Sequence, residues 1–505
     1  MKEKFIISLI SQVMSYFISI IAFYLLFLNL DTSFIGTWTL VTSIVNLGFL
    51  FLNIGLDSIH YQYSSKENSS EYFGTFFTLK LSLLSINVLV SILVIFFISF
   101  FEVWSNDFLY LILILLFSKI VTNISSVFLI NLKSRFKVFK AEIPSFLIIS
   151  GKSVMVIILS LNLTYINDPL LFLCVSTFVF DLLLLLLILL VSKKEFKLNR
   201  PSKAFTLLYL KDIIPLFFFS FTLVIASNFG NILLAASFDH ETLGNFSFIN
   251  NYVIQSLLVI SSSLVTVYLT LFSKFFEKGD FDSIKKTTYI IEKYSSIIFL
   301  GIIIVVILNG KLILSILLPQ YVDTVPILNI MVFFPYLMAI TQPYSYHFIA
   351  GKKQKINAQI NIFTRIMIIL LMIYLIPTSF FILPTLGLGT IGYAISQTIP
   401  WILWVFLNRY YSYKTFNIKP QKNIVYHIPI AIISFLISFA FKLLIFEKIF
   451  QNQILLLIIT TILSLAIFIF ILVVIKELKR EDIRFFLQLI KFQTYKNSLK
   501  EELLN

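Results

Sequence analysis

The chain has little of what a soluble protein of its length carries. Only 13% of its 505 residues are charged, against roughly a quarter in ordinary soluble domains. One cysteine, Cys174, excludes an internal disulfide and a cysteine-based metal cluster. The four histidines, His60, His240, His347 and His427, are far apart and lack ligand spacing, so no metal site is expected. Each lies near the edge of an apolar segment and reads as interfacial. No gap between apolar segments is long enough to hold a soluble domain.

What is present is hydrocarbon. Hydrophobic residues make up 59% of the chain, and the mean hydropathy is +0.96. Between Asp181 and Ser192 every residue is Leu, Ile or Val, too apolar for the half-buried face of a soluble helix. Apolar segments fall at 6–29, 34–58, 75–100, 108–131, 143–163, 169–192, 212–236, 242–268, 295–318, 325–348, 356–376, 387–408, 425–445 and 453–475. Their length is that of membrane spans. The chain is therefore read as an all-α integral membrane protein with about fourteen transmembrane helices. The start, Met1-Lys2-Glu3-Lys4 before an apolar run, is signal-like, but no small-x-small cleavage site follows, and it reads as the first membrane helix.

The formal net charge of +14 has a spatial pattern. Lys and Arg collect in alternate gaps, near 132–142, 193–211, 274–293, 352–355, 409–422 and from 476 onward, with Lys66 alone in the gap near 61–74. By the positive-inside rule these gaps are cytoplasmic, as are both termini. Of the 39 Lys and Arg, 32 fall on that side. The basic excess thus sets topology and favours contact with anionic lipids; nucleic-acid binding is not expected. Two basic stretches, 271–293 and 481–495, mix aromatic and aliphatic residues with cations, as interfacial surface helices do.

An internal repeat is visible. Asp31-Thr-Ser-Phe-Ile-Gly36-Thr-Trp38 follows the first span, and Asp239-His-Glu-Thr-Leu-Gly244-Asn-Phe246 follows the seventh. The even number of spans between them keeps orientation, so the repeat is parallel about an axis along the membrane normal. Two pseudo-two-fold-related six-helix lobes follow, 1–195 and 212–410, joined by a cytoplasmic linker at 196–211. A C-terminal helix pair at 411–475 and a basic tail at 476–505 complete the chain.

With that order in place the chain resembles the polysaccharide repeat-unit flippases (Wzx-type O-antigen transporters). Their superfamily, of multidrug, oligosaccharidyl-lipid and polysaccharide exporters, also holds multidrug extruders and lipid II flippases. The resemblance rests on Gly36, Asn53-Ile-Gly-Leu-Asp57, Pro215, Gly244-Asn-Phe246, Leu318-Pro-Gln-Tyr321, Ala350-Gly-Lys-Lys353 and Gly389-Thr-Ile-Gly392-Tyr-Ala394, in that order. It covers nearly the whole chain. Many members carry an acid and a base where this chain has Asn228 and Asn231.

The resemblance implies a flippase in the bacterial cytoplasmic membrane. It would move an undecaprenyl-(pyro)phosphate-linked oligosaccharide to the outer leaflet, for O-antigen or capsule synthesis, by alternating access around a cationic cavity. It also implies no cofactor, a functional monomer, coupling to protons or sodium as an open choice, and the polysaccharide polymerase machinery as a further partner.

Charges at mid-membrane depth cost about 2.5–3.5 kcal/mol to insert and usually face a bundle interior or water-filled cavity. Lys119, Lys152, Asp181 and Arg365 lie at that depth. Lys119 heads a polar stripe with Thr122, Asn123 and Ser126, and Arg365 closes one with Asn361 and Asn357. Lys152 and Arg365 occupy equivalent spans of the repeat and would face one another across its axis. A phosphate grip is the functional reading, since Arg offers a fork of donors and Lys a point charge. A plainer reading pairs Lys119 or Lys152 with Asp181, which stands either as ion-pair partner or as an ion-coupling site. Lys80 and Asp57 lie near span ends, where Lys80 can snorkel or meet the substrate headgroup. Asn228 and Asn231, with Asn53, Asn250 and Gln255, are candidate cavity-lining amides.

Two other functions are weighed. A multidrug-type ion-coupled efflux antiporter of the same fold would have twelve spans and an acid in its first-lobe helices; the first span here has none. A membrane polymerase or ligase would need a large outer loop to assemble an active site, and the longest outer gap is 310–323. No enzymatic activity is expected.

Overall fold

The computed structural model describes residues 2–50, 56–57, 60, 69–100, 106–135, 137–161, 166–193, 199–262, 265–380, 383–421, 424–479 and 482. Apart from one pair of two-residue antiparallel strands, β1 (Ser379–Phe380) and β2 (Leu383–Pro384), all regular structure among these residues is helical. The chain forms two compact units. One comprises Met1–Gly244 with Ile369–Gly389, the other Asn245–Ile368 with Thr390–Asn505.

The first unit holds α1 (Lys2–Asn29), α2 (Thr32–Gly48), α3 (Ser69–Phe100), α4 (Asn106–Ser134), α5 (Val138–Leu161), α6 (Pro169–Ser192) and α7 (Lys203–Ser237). Local chemistry starts α6 where its apolar run begins. Asp168 caps it by accepting from the Leu171 N–H at 3.0 Å, and Pro169 sits in the first turn, where its missing N–H costs nothing. Helix α1 packs along α5, α4 along α6, and α2 along α7 and α4. A core of Phe73, Phe76, Val127, Ile188 and Tyr209 ties α3, α4, α6 and α7 together.

Next comes α8 (His240–Ser247), a π-helical turn at Phe248–Ile254, α9 (Gln255–Ser262) and α10 (Val265–Lys278). The rest of the chain supplies α11 (Phe281–Leu317), a 3-10 turn at Pro319–Thr324, α12 (Val325–Met331), α13 (Phe333–Ala350), α14 (Gln354–Leu375), α15 (Gly389–Phe416) and α16 (Ile424–Phe441). A second π-helical turn at Lys442–Phe446, the short α17 (Glu447–Ile449) and α18 (Gln453–Val474) close the described chain. In the second unit α11 is the central post, packed on α13, α16 and α18 around Ile303, Ile304, Tyr336, Phe468 and Leu472.

Eleven helices among the described residues are long and apolar enough to cross a membrane, so the protein is a multi-pass membrane protein. Three expected spans fall outside that number. The apolar described part of α1 is the shorter Phe17–Asn29, α2 has 17 residues, and the span expected at 242–268 is broken into α8, a π turn, α9 and the start of α10. Lipid-facing character is plain on α18, where Ile458, Ile462, Ile469 and Phe470 are exposed while Thr460 and Ser464 are buried.

The basic stretch 271–293 is not one surface helix. It is the end of α10 and the beginning of α11, separated at Gly279, whose φ of +68° a side chain would strain. Asp280 then caps α11 by accepting from the Ser283 N–H at 2.9 Å. The second such stretch, 481–495, lies outside the described residues except for Asp482.

The two copies of the sequence repeat touch. A Cβ on Gly36 would lie 1.7 Å from the His240 carbonyl oxygen, and one on Gly244 would lie 1.8 Å from that of Thr32. Only glycine lets α2 and the first turn of α8 approach backbone to backbone. Beside the crossing, Thr37 Oγ1 and His240 Nδ1 are hydrogen-bonded at 2.7 Å.

Candidate functional site

Helices α2, α4, α5, α6 and α7 bring most of the sequence-derived candidates of the first unit into one polar cluster. Lys152 Nζ, from α5, lies 2.6 Å from Asp181 Oδ1 on α6. Ser118, on α4, donates to the other Asp181 oxygen at 2.5 Å. The Asp181 side chain is 5% exposed and that of Lys152 32%, so the carboxylate is enclosed while the ammonium reaches outward. Lys119, one residue after Ser118, donates instead to the neutral Asn46 Oδ1 at 2.9 Å. Asn46 donates in turn to Asn228 Oδ1 at 3.3 Å, and Asn231 donates to Ser43 Oγ at 2.8 Å. Two cations and one acid therefore share this cluster, and a carboxylate holds only one of the cations.

The rest of the Lys119 stripe turns inward on its own helix. Thr122 donates to the Ser118 carbonyl, Asn123 to that of Lys119 and Ser126 to that of Asn123. Sequence reasoning missed Ser43, Asn46 and Ser118. Asn46 gave a usable signal as a lone amide within an apolar helix, which hydrocarbon tolerates only with a partner.

Lys80 does not snorkel. Its side chain is 3% exposed, and its ammonium lies 2.7 Å from Asp57 Oδ1. The candidate Asn53 lies outside the described residues.

Arg365, on α14, differs from the lysines. It makes no hydrogen bond or ion pair among the described residues, its buried Nε is without a partner, and its guanidinium lies 5.8 Å from the Trp401 ring on α15. Asn361 and Asn357 do not reach it. Asn361 donates to the Asn357 carbonyl, while Ser345 donates to Asn357 Oδ1 at 2.8 Å. A guanidinium that lies over an indole instead of pairing with an acid keeps donors free for an oxyanion.

A second ionic cluster, unforeseen in the sequence, lies in the same unit. Glu292 on α11 is fully buried, paired with Arg409 of α15, and accepts from the Tyr344 hydroxyl at 2.8 Å. The Arg409 guanidinium also lies 5.6 Å from the Tyr344 ring. Glu292 falls in the stretch read from sequence as a surface helix and Arg409 in a gap between spans; in the structure the long helices α11 and α15 run through both.

His60, His347 and His427 are buried, and His240 bridges to Thr37. His60 joins Tyr209 at 2.9 Å and Asn131 at 3.3 Å, and stacks on Phe76. His347 joins Thr288 and Ser412, both at 2.9 Å. His427 meets Ser296 at 3.0 Å and lies 3.4 Å from Glu477. A ring with two nitrogens can cross-link two helices, which explains their burial. Among the described residues no three His, Cys, Asp or Glu are grouped to hold a metal.

Solved structures share this fold of many apolar helices with charges held inside them. A structure of the lipid II flippase MurJ, in an inward closed conformation, superimposes with a TM-score of 0.65 at 17% identity, covering 92% of this chain and 98% of that one. An inward-facing multidrug resistance MATE transporter of the MOP superfamily gives 0.56 at 14% identity, covering 79% of this chain and 94% of that one. A point mutant of the Vibrio cholerae MATE transporter VcmN gives 0.52 at 11% identity, covering 82% and 98%. In sequence, residues 30–326 match the polysaccharide biosynthesis protein family, and the chain belongs to that family. No curated protein sequence matches the chain.

Proposed function

We propose that this protein is a flippase. It moves an undecaprenyl-(pyro)phosphate-linked oligosaccharide from the cytoplasmic to the outer leaflet of the bacterial cytoplasmic membrane, for surface polysaccharide synthesis. Membership of a polysaccharide biosynthesis family together with the fold of a lipid II flippase supports this reading. The observation that carries it is Arg365, a guanidinium inside a membrane helix without an acidic partner among the described residues. An unneutralised cation at that depth is costly unless an anion visits it, and the phosphate of a lipid-linked sugar is such an anion. Lys119, whose one hydrogen bond among the described residues is to neutral Asn46, and Lys152, whose ammonium reaches out of its pair with Asp181, are assigned the same task. Asn228 and Asn231 set the neutral surroundings of Lys119. Asp181 acts as counter-ion to Lys152, as Asp57 does to Lys80.

The protein works by alternating access of two repeat-related lobes around a cationic cavity, with fourteen spans and both termini cytoplasmic. It acts as a monomer, performs no bond chemistry, and hands its cargo to the polymerase machinery. Protons or sodium supply the coupling.

Deleting the gene in its own cells tests the assignment. Loss of surface polymer with accumulation of lipid-linked repeat units facing the cytoplasm is the expected result. Unchanged polymer together with increased sensitivity to cationic drugs would instead establish a multidrug extruder.

A further inference from the structure

The helix series His240–Ser262 carries a polar face that the phosphate-binding assignment leaves unused. Within it, Phe248, Ile249 and Ile254 are buried, while Asn251, Gln255 and Ser256 are exposed and Asn250 is partly so. This is the reverse of α18, whose aliphatic residues are outside and whose hydroxyls are inside. Amides turned toward hydrocarbon would lack hydrogen-bond partners at a cost of several kcal/mol each. The face that carries them therefore meets water or a ligand.

The π-helical turn at Phe248–Ile254 shapes that face. Its wider winding interrupts the α-helical register, a feature frequent at functional sites. Asn250 donates to Asn251 Oδ1 at 3.0 Å, which fixes the adjacent amide and leaves both N–H groups of Asn251 free. Among the described residues the Gln255 side chain makes no hydrogen bond at all. Asn251 and Gln255 are four residues apart on one side of the segment.

The chemistry of the face selects its ligand class. From Asn245 to Ser262 there is no acid, no base and no histidine, so nothing there attracts a phosphate or replaces the carboxylates of a divalent-cation site. Each amide offers donors and an acceptor together, the complement of a hydroxyl, which also does both. We propose that Asn251 and Gln255, with Asn250 bracing Asn251, form a saccharide-contact surface that reads neutral sugar hydroxyls of the cargo. This rests on the flippase reading above, and it separates two tasks: cations hold the phosphate, and the π-helical turn selects the glycan.

The test uses the full-length protein in lipid nanodiscs. It compares binding of sugar-free undecaprenyl pyrophosphate with binding of the lipid-linked oligosaccharide pool extracted from the cells that encode the chain. Wild type is expected to bind both and to prefer the sugar-bearing lipid. Asn251→Ala and Gln255→Ala should each weaken sugar-bearing lipid by about tenfold, as loss of one or two hydrogen bonds to a hydroxyl would, and leave sugar-free lipid unchanged. Thermal midpoints confirm that the variants fold, and Gln255→Asn serves as a shortened amide for partial rescue. Retained preference for the sugar-bearing lipid in both alanine variants would overturn the proposal. So would a sodium-dependent rise in the wild-type thermal midpoint that Asn251→Ala removes, since the amides would then be an ion site. Failure of wild type to bind either lipid would instead remove the flippase reading itself.

Discussion

Lys152 and Asp181 form an ion pair 2.6 Å long across α5 and α6, with the acid enclosed and the base reaching outward. Ser118 occupies the second carboxylate oxygen. The pair thus anchors two helices and also presents a cation. These two roles separate experimentally.

Replacing Lys152 with alanine leaves Asp181 buried without its counter-ion, at a cost of about 3 kcal/mol. The expected result is a lowered thermal midpoint and lost complementation in a flippase-deficient strain. The double variant Lys152→Met, Asp181→Leu removes the stranded charge and should recover most of the midpoint. Transport in the double variant should stay lost, because the outward cation is gone.

Arg365 gives the opposite stability result. No acid or acceptor among the described residues holds it, so Arg365→Ala strands nothing. Its thermal midpoint and membrane level are expected to equal or exceed those of wild type, while surface polymer disappears. Arg365→Lys keeps the charge but loses the fork of donors, and should restore polymer only in part. Normal polymer from Arg365→Ala would remove the phosphate assignment.

Glu292 and Arg409 form a structural pair. Glu292→Ala buries an uncompensated guanidinium and leaves the Tyr344 hydroxyl without its acceptor, so a loss of about 3–5 kcal/mol is expected. Glu292→Gln keeps an acceptor for Tyr344 and should lose less. Thermal unfolding of purified protein followed by tryptophan fluorescence measures both.

At Gly36 two effects compete. Alanine is the better helix former by about 1 kcal/mol, but its Cβ would fall 1.7 Å from a backbone oxygen that no rotamer change can move. The clash wins. Gly36→Ala and Gly244→Ala should each destabilise by about 1–3 kcal/mol, read as a lowered thermal midpoint. Together they should cost less than the sum, since either alone already parts the same two backbones.

The sequence revealed what the membrane makes expensive and concealed what is neutral or local. Lys119, Lys152, Asp181 and Arg365 stood out because charge within an apolar run is rare. The bounds read for the sixth span, 169–192, coincide with α6 because its apolar run is sharply delimited. The partners of Ser118 and Asn46 were not readable, since a serine or asparagine in a helix carries no record of which helix it meets. Glu292 and Arg409 were misplaced for a related reason. Glu292 looked like part of a surface helix and Arg409 like a gap residue until α11 and α15 are seen to continue through them. The π-helical turn at Phe248–Ile254 was hidden as well, because a hydropathy pattern does not report a change in winding.

The repeat motif drew attention as a pattern in letters, and the fold turns it into a seam. Where α2 and α8 cross at Gly36 and Gly244, backbone meets backbone, and the Thr37–His240 hydrogen bond flanks the crossing. The peptide contact at the centre of the crossing carries no charge for salt to screen. No change of rotamer can lengthen a contact between two backbones, so parting this seam means moving the helices themselves.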